Sequence, residues 1–260
     1  EQLQRFGEQH GAMAAPLVAQ ARAQRDGHVQ ALDPTPALPE LIDAPGVLLY
    51  DIESDPDARD DFLHGFVSLP RDPDGRWALE RARYHPLLVL QEHGEARCWQ
   101  RLNRFLTHYA GWPVLHYGET ECLALCRMAK RQGLHDSDLQ ILRCRLVDVH
   151  ARLRRHWRLP LNSYGLKRVA DWLGFRWSQK GVDGARALLW WRQWRGDGPQ
   201  HRGQIQLLQR IFVYNRDDGL ATWTVAAWML AATSSAQLGV GGAQKASGRL
   251  SEMVTSSLPA

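Results

Sequence analysis

The sequence lacks any apolar run long enough to cross a bilayer, and it contains little cysteine. No stretch approaches the roughly 20 consecutive apolar residues of a membrane-spanning helix, and no basic segment leads into an apolar one as in a secretory signal peptide. Four cysteines in 260 residues are too few for a disulfide framework. We therefore expect a cytoplasmic chain without membrane contact, whose cysteines are buried thiols.

A glycine-rich phosphate loop of the Walker type is also missing, so we do not expect ATP hydrolysis. Apolar residues make up 44% of the chain and charged residues 23%, a composition that excludes disordered, collagen-like and coiled-coil proteins. The length predicts one large or two small globular domains.

The formal net charge of +4 conceals an asymmetry along the chain. Residues 1–126 carry 11 Lys/Arg and 19 Asp/Glu, a net charge of −8, whereas residues 127–260 carry 21 and 9, a net charge of +12. Folding both parts into one body would set an acidic cluster beside a basic field, as an enzyme that holds metal ions next to a polyanion requires. The simpler interpretation is two solvated faces of opposite charge.

Three segments are predicted. Residues 1–45 form an N-terminal helical segment and a linker that contains four prolines, residues 46–232 form the main domain, and the Gly/Ser-rich residues 233–260 form a flexible tail. In the main domain, strands are predicted at residues 47–53, 62–68, 77–84 and 114–117. Helices are predicted at residues 95–109, 120–131, 148–157, 163–173, 184–194 and 204–232. Strands followed by alternating helices and strands predict an α/β fold with a mixed sheet.

Some side chains in these elements have expected positions. Thr120 and Ser163 are the expected N-caps of their helices, and Leu123 is expected to face inward. Asp148 ends a predicted strand and is expected to cap the helix that follows.

Asp51 and Glu53 stand at the end of the first predicted strand. Their i, i+2 spacing puts both carboxylates on one face, and paired carboxylates suit hard cations such as Mg²⁺ or Mn²⁺ that also bind phosphate oxygens. The alternative is that Asp51 caps a turn and Glu53 is solvated.

Tyr214 and Asp218 are four residues apart on a predicted helix and therefore share a face. The phenol could hold an attacking water while the carboxylate completes a metal site with Asp51. The alternative is a core-edge tyrosine with an exposed aspartate.

Two further acidic and thiol motifs have structural alternatives. Glu119 and Glu121 lie at a strand-to-helix junction, where the helix dipole alone favours carboxylates. Cys122 and Cys126 beside His116 have helical spacing, but no second pair completes a zinc site.

Together these motifs resemble the DEDD superfamily of 3′→5′ exonucleases, which have a ribonuclease H-like fold. The motifs occur in the superfamily's order: Tyr50-Asp51-Ile52-Glu53, His116-Tyr117 with Glu121, Ser163-Tyr164-Gly165-Leu166-Lys167, and Tyr214-Asn215-Arg216-Asp217-Asp218. More narrowly, the sequence is similar to the ribonuclease H-like domain that follows a RecB-type domain in bacterial nucleases. There, a Leu-x-x-Gln-Ala-Arg-x-Gln helix precedes the first strand, as residues 17–24 do here.

The resemblance implies a five-stranded mixed sheet flanked by helices, with the first strand central. It also implies that Asp51, Glu53, Glu121 and Asp218 are catalytic and bind metal, with Tyr214 as the tyrosine of the tyrosine subtype. Glu121 stands where most of the superfamily has Asp, and the extra methylene moves its carboxylate by about 1.5 Å, so it could act through water. A RecB-type nuclease domain or a helicase is the implied protein partner.

The resulting hypothesis is phosphodiester hydrolysis with two Mg²⁺ or Mn²⁺ ions about 4 Å apart. Asp51 would bridge the two ions, Glu53 and Asp218 would hold one each, and Tyr214 would orient the water. The substrate would be single-stranded DNA or RNA.

The basic half of the chain would bind this substrate. Lys/Arg residues around Arg154 and Arg155 would neutralise phosphates, Lys167 could meet another phosphate, and an exposed Trp191 could stack on a base. Trp190 and Trp194 are expected in the core. The alternatives are a solvated Lys167 and a buried Trp191.

Two other functions remain open. The chain could be a non-catalytic nucleic-acid-binding module of the same fold that assists a partner nuclease. It could also be an endonuclease or junction resolvase, which would release internal fragments rather than mononucleotides.

Overall fold

A computed structural model describes residues 14–90, 94–196 and 205–237. Residues 1–13 of the predicted helical segment and residues 238–260 of the predicted tail lie outside the described residues. In the described part, no helix is both long and apolar enough to cross a membrane.

A mixed five-stranded sheet forms the centre of the molecule, with the strand order β4-β3-β2-β5-β6. Its strands are β2 (Gly46–Asp55), β3 (Asp60–Pro70), β4 (Arg83–Leu88), β5 (Val114–His116) and β6 (Leu146–Asp148). Strands β2, β3 and β4 form an antiparallel meander, whereas β5 and β6 continue from β2 in parallel. The predicted α/β fold is confirmed, with a five-stranded mixed sheet whose first strand in the chain, β2, is central.

The helices are numbered in chain order. They are α1 (Ala15–Asp26), α2 (Gly94–His108), α3 (Thr120–Arg131), α4 (Asp136–Arg145), α5 (Val149–His156), α6 (Leu166–Trp172), α7 (Gly184–Arg195) and α8 (Ile205–Gln237). Short 3-10 helices lie at Pro39–Leu41 and Leu79–Arg81, and β1 (Gln30–Ala31) pairs antiparallel with β7 (Trp157–Arg158).

Strand β2 is buried on both faces, as its nearly continuous apolar run requires. Val47 and Leu49 share a core cluster with residues of α8, whereas Leu48 and Tyr50 belong to a cluster formed with α2, α3 and α4. Since successive side chains alternate between faces, position 51 continues the face that α8 covers. The sheet thus directs the first acidic residue of β2 toward α8.

The prediction of a third strand at residues 77–84 is wrong. Trp77 forms an isolated bridge to Arg71, a 3-10 helix follows, and the strand that pairs with β3 is Arg83–Leu88. This strand contains Pro86, which is tolerated because β4 is at the edge of the sheet.

The predicted helix starts need correction at two places. Thr120 is the first residue of α3 rather than its N-cap, which is Glu119. Ser163 is not the cap of α6, because its hydroxyl accepts a hydrogen bond from the amide of Gly165, and the helix begins at Leu166.

Several burial and boundary predictions also change. Leu123 is 42% exposed rather than inward-facing, because it lies on the outer side of α3. Helix α4 was not predicted, and α8 continues to Gln237, so residues 233–237 are helical and not part of a tail. All four cysteines are free, but only Cys98 and Cys126 are buried, with Cys122 intermediate and Cys144 exposed.

Candidate functional site

Three carboxylates meet where β2 faces α8. Asp51, Glu53 and Asp218 each place one oxygen atom within 4.8 Å of the other two, and together they could hold a metal ion. Glu53 and Asp218 are buried and Asp51 is half-buried. The periodicity of β2 brings the first two together, and the packing of α8 on β2 adds the third.

Burial and mutual repulsion make this group unfavourable in its fully ionised form. Loss of solvent raises the pKa of Asp51 well above its ordinary value, and the charges of Asp218 and Glu53 raise it further. The pKa of Glu53 is raised for the same two reasons, burial and the charge of Asp218. Burial also raises the pKa of Asp218, although hydrogen bonds from Trp177 and Tyr214 oppose this effect.

The hydrogen-bond partners of the three carboxylates are neutral. Asn215 Nδ2 donates to Asp51 Oδ2 at 2.7 Å and to Glu53 Oε1 at 3.4 Å, and Trp177 Nε1 donates to Asp218 Oδ1 at 2.6 Å. In the described part of the chain, none of the three forms an ion pair with Lys, Arg or His. In its ionised form the group therefore concentrates negative charge, and no basic side chain among the described residues pairs with it directly.

Asn215 is held in place by its own contacts. The hydroxyl of Tyr84 donates to Asn215 Oδ1 at 2.9 Å, which orients the amide so that its nitrogen faces the carboxylates. Gly65 lies opposite Asp51 in the β2–β3 ladder, and a Cβ atom there would stand 1.6 Å from Asn215 Oδ1. Only glycine leaves room for this amide.

Asp217 is the neighbour of Asp218 but has a different environment. Its carboxylate accepts a hydrogen bond from the amide of Ser178 at 2.7 Å and pairs with Arg216 at 3.0 Å. Of the two adjacent aspartates, Asp218 is therefore the one that joins the three-carboxylate group.

Glu121 is buried in the first turn of α3 but is not one of the three converging residues. Burial raises its pKa to about 7, and the charges of Asp148 and Asp218 also raise it. Its Oε2 atom has no hydrogen-bond partner among the described residues and lies 3.9 Å from His116 Nδ1. Nδ1 of His116 itself donates to the carbonyl of Gly118 at 2.5 Å.

Asp148 has the predicted structural role. Its carboxylate caps α5 by accepting a hydrogen bond from the amide of Ala151 at 3.1 Å. The same oxygen accepts a hydrogen bond from the amide of Gly118 at 3.1 Å, which ties the loop after β5 to the start of α5.

A cavity of about 1100 Å³ opens beside the carboxylates. Its lining includes Asp51, Asp218 and Tyr214, together with the basic side chains Arg154, Arg158, Lys167 and Arg168. The acidic group and part of the basic half of the chain thus meet in one cavity.

Tyr214 and Lys167 meet at the cavity wall. Lys167 Nζ lies 5.0 Å from the centre of the Tyr214 ring and donates to the carbonyl of Val182 at 2.8 Å. Burial raises the pKa of Tyr214, and the charge of Asp218 raises it further, so its phenol stays protonated at neutral pH.

Two residues predicted to bind nucleic acid lie elsewhere. The prediction of an exposed Trp191 is wrong: this side chain is 1% exposed, because α7 presses it onto Phe62 of β3 with a ring separation of 4.4 Å. Arg155 pairs with Asp33 at 3.2 Å and is absent from the described lining of the cavity. Trp190 is buried as predicted, and Trp194 is half-buried.

Sequence reasoning missed the roles of Gly65, Tyr84, Trp177 and Asn215 around the carboxylates. Asn215 follows Tyr214 within the recognised motif, so its position was visible but its contacts were not. Gly65, Tyr84 and Trp177 give no local signal, because their roles depend on strand register and on long-range packing.

The sheet order, with acidic residues on the central strand and on a helix packed against it, defines an α/β domain of the ribonuclease H-like type. A family model of the RNase H superfamily matches residues 48–230, and the chain belongs to this superfamily. Comparisons with curated proteins and with solved structures gave no match.

Proposed function

We propose that the protein is a metal-dependent nuclease, a 3′→5′ exonuclease of the DEDD tyrosine subtype that acts on single-stranded DNA or RNA. The observation that carries this proposal is the convergence of Asp51, Glu53 and Asp218 within 4.8 Å. Membership of the RNase H superfamily supports the reaction class.

The three carboxylates suit divalent cations. Their oxygen atoms are hard ligands, their pKa values are raised by burial and mutual repulsion, and their hydrogen-bond partners are neutral. We propose that they hold Mg²⁺ or Mn²⁺, as two ions in the active complex. When bound, such ions lower the pKa of water and stabilise charge on the leaving oxygen.

Glu121 has a supporting role in this proposal. Its carboxylate is buried, lacks a hydrogen-bond partner at Oε2, and contributes to the raised pKa of Asp51 through its charge. Because it lies outside the group of three, we assign it an action through water rather than direct ligation.

The remaining side chains position the substrate. Tyr214 is one helical turn from Asp218 and lines the cavity, so its protonated phenol can orient the attacking water. Lys167 and Arg154 line the same cavity and can neutralise phosphates of the substrate. The implied RecB-type nuclease domain or helicase would act on the same nucleic acid.

A nuclease assay tests this function. A 5′-labelled single-stranded 20-nucleotide DNA and the matching RNA are incubated with Mn²⁺ or Mg²⁺, and the products are separated by length. We expect stepwise shortening from the 3′ end, and a loss of about 1000-fold or more in Asp51→Asn and Asp218→Asn, since each removes several kcal/mol of electrostatic stabilisation.

Asp57→Asn is the matched control, because Asp57 is 79% exposed on the turn after β2 and outside the carboxylate group. It should retain full activity. Full activity in Asp51→Asn and Asp218→Asn would refute the assignment. Release of internal fragments by the wild type would show that the protein is an endonuclease and not an exonuclease.

A non-catalytic nucleic-acid-binding module is the second candidate. The observation in its favour is that Glu121 stands outside the converging group. Binding of the labelled strand without cleavage in either cation would identify this function.

A further inference from the structure

Helix α1 contains the Leu-x-x-Gln-Ala-Arg-x-Gln sequence, which has no role in the chemistry above. The structure fixes this helix to the segment before α6. Gln20 Nε2 donates to the carbonyls of Leu159 at 3.0 Å and Leu161 at 3.1 Å, and Gln20 Oε1 accepts from the hydroxyl of Tyr164 at 2.8 Å. Gln24 Nε2 adds a bond to the carbonyl of Leu161 at 3.2 Å.

These contacts place α1 against the cavity that leads to the carboxylates. Pro16, Leu17 and Gln20 line the cavity, together with Tyr164. The amide groups of Gln20 are occupied by hydrogen bonds, so α1 offers a mainly apolar surface to the cavity. Leu17 is 64% exposed, whereas the next residue in the helix, Val18, is buried.

Other cavity residues carry positive charge. Arg154 and Arg158 are four residues apart, at the end of α5 and just beyond it, and Arg168 and Lys167 lie at the start of α6. A single nucleic-acid strand has charged phosphates and flat apolar bases, and it needs both kinds of contact. The cavity provides cationic residues and an apolar patch, and Asp51 and Asp218 also line it.

We propose that α1 is the base-contacting wall of a single-strand groove. Leu17 contacts a base of the strand, while Arg154, Arg158 and Arg168 contact its phosphates. The choice of a single nucleic-acid strand as the ligand rests on the proposed function, whereas the groove itself is tested by measuring binding.

The test measures fluorescence anisotropy of a 5′-fluorescein-labelled 12-nucleotide oligothymidylate in Ca²⁺. Leu17→Glu is compared with Ile141→Glu, because Ile141 is 63% exposed on α4, outside the described lining of the cavity, and undergoes the same charge change. We expect Leu17→Glu to raise Kd about 10-fold or more and Ile141→Glu to raise it less than about 2-fold. Equal changes in the two variants would overturn the proposal.

The pair Leu17→Ala and Ile141→Ala repeats the comparison without added charge. Here Leu17→Ala should weaken binding about 3-fold or more, with Ile141→Ala unchanged; no difference would also overturn the proposal. Since Leu17 is exposed, unfolding temperatures should stay equal across all four variants.

Cleavage in Mn²⁺ is measured on the same oligonucleotide. If the wild type cleaves but Leu17→Glu binds like Ile141→Glu, the groove is refuted and the nuclease assignment stands. If the wild type binds through Leu17 but cleaves nothing, the groove stands and the nuclease assignment is refuted.

Discussion

Strand β2 carries acidic residues in two different environments, Asp55 in one and Asp51 with Glu53 in the other. Asp55 lies near the end of the strand and receives two hydrogen bonds from Arg192, at 2.6 and 2.9 Å, and Arg192 also contacts Asp57. These bonds lower the pKa of Asp55 to about 2. At Asp51 and Glu53 the pKa is instead raised, because burial and repulsion act on carboxylates whose hydrogen-bond donors are neutral.

The difference separates a structural carboxylate from the proposed metal-ligand group. An arginine that binds two carboxylates satisfies them and ties α7 to the end of β2, so that no further cation is required. Neutral donors such as Asn215 and Trp177 fix the direction of the carboxylates without cancelling their charge. The second arrangement is the one that a divalent cation would complete.

The largest expected effect on stability concerns Glu121. Its pKa of about 7 exceeds its ordinary value of 4.5, so the folded state binds more protons, and metal-free stability falls as pH rises from about 4.5 through about 7. The loss reaches about 3 kcal/mol at full ionisation. Glu121→Gln removes this pH-dependent loss. The difference in the free energy of unfolding between the variant and the wild type should therefore shift in favour of the variant as pH rises across this range.

Urea unfolding in EDTA at several pH values measures this gain. Glu119→Gln is the control, because Glu119 is exposed and lies just before α3. A constant difference between Glu121→Gln and the wild type at every pH would show that Glu121 does not carry the effect.

A smaller effect is expected for Gly65→Ala. The new Cβ atom would meet Asn215 Oδ1, push the amide away from Asp51, and weaken both activity and Mn²⁺ affinity about 10- to 100-fold, as changes in the outer contacts of metal ligands do. Gly184→Ala is the control, because a Cβ atom there meets nothing within 4 Å. Activity of Gly65→Ala within about 2-fold of the wild type would contradict the role given to Asn215.

The smallest effect on activity is expected for Arg192→Gln. Because Arg192 neutralises Asp55 and not the three-carboxylate group, cleavage should change by less than about 2-fold. Because the pKa of Asp55 is lowered, its ionised carboxylate stabilises the fold at pH values above 3.8, the ordinary pKa of an aspartate. This contribution disappears as the pH falls toward about 2. Thermal unfolding should therefore show a wild-type advantage at neutral pH that vanishes in acid; an advantage that persists there would contradict the pairing.

The sequence predicted the parts of the site that depend on local periodicity. The i, i+2 spacing of Asp51 and Glu53 and the i, i+4 spacing of Tyr214 and Asp218 are properties of one strand and one helix. The link between them spans much of the chain, and the resemblance to a family supplied it rather than any local pattern.

Other features depend on which elements pack together, which single-sequence patterns do not encode. Trp191 is buried because α7 lies on Phe62, and Gly65 admits Asn215 because β3 pairs with β2 in one register. The place of α1 beside the cavity follows from the side-chain amides of Gln20 and Gln24 reaching the backbone of residues 159–161, far along the chain.

Calorimetric titration of Mn²⁺ into the metal-free protein at pH 7.5 tests the central claim most directly. Asp55→Asn should bind Mn²⁺ as the wild type does, whereas Asp51→Asn should bind at least about 100-fold more weakly, because only Asp51 belongs to the group that lacks a paired basic residue. Unchanged Mn²⁺ binding in Asp51→Asn would contradict the account.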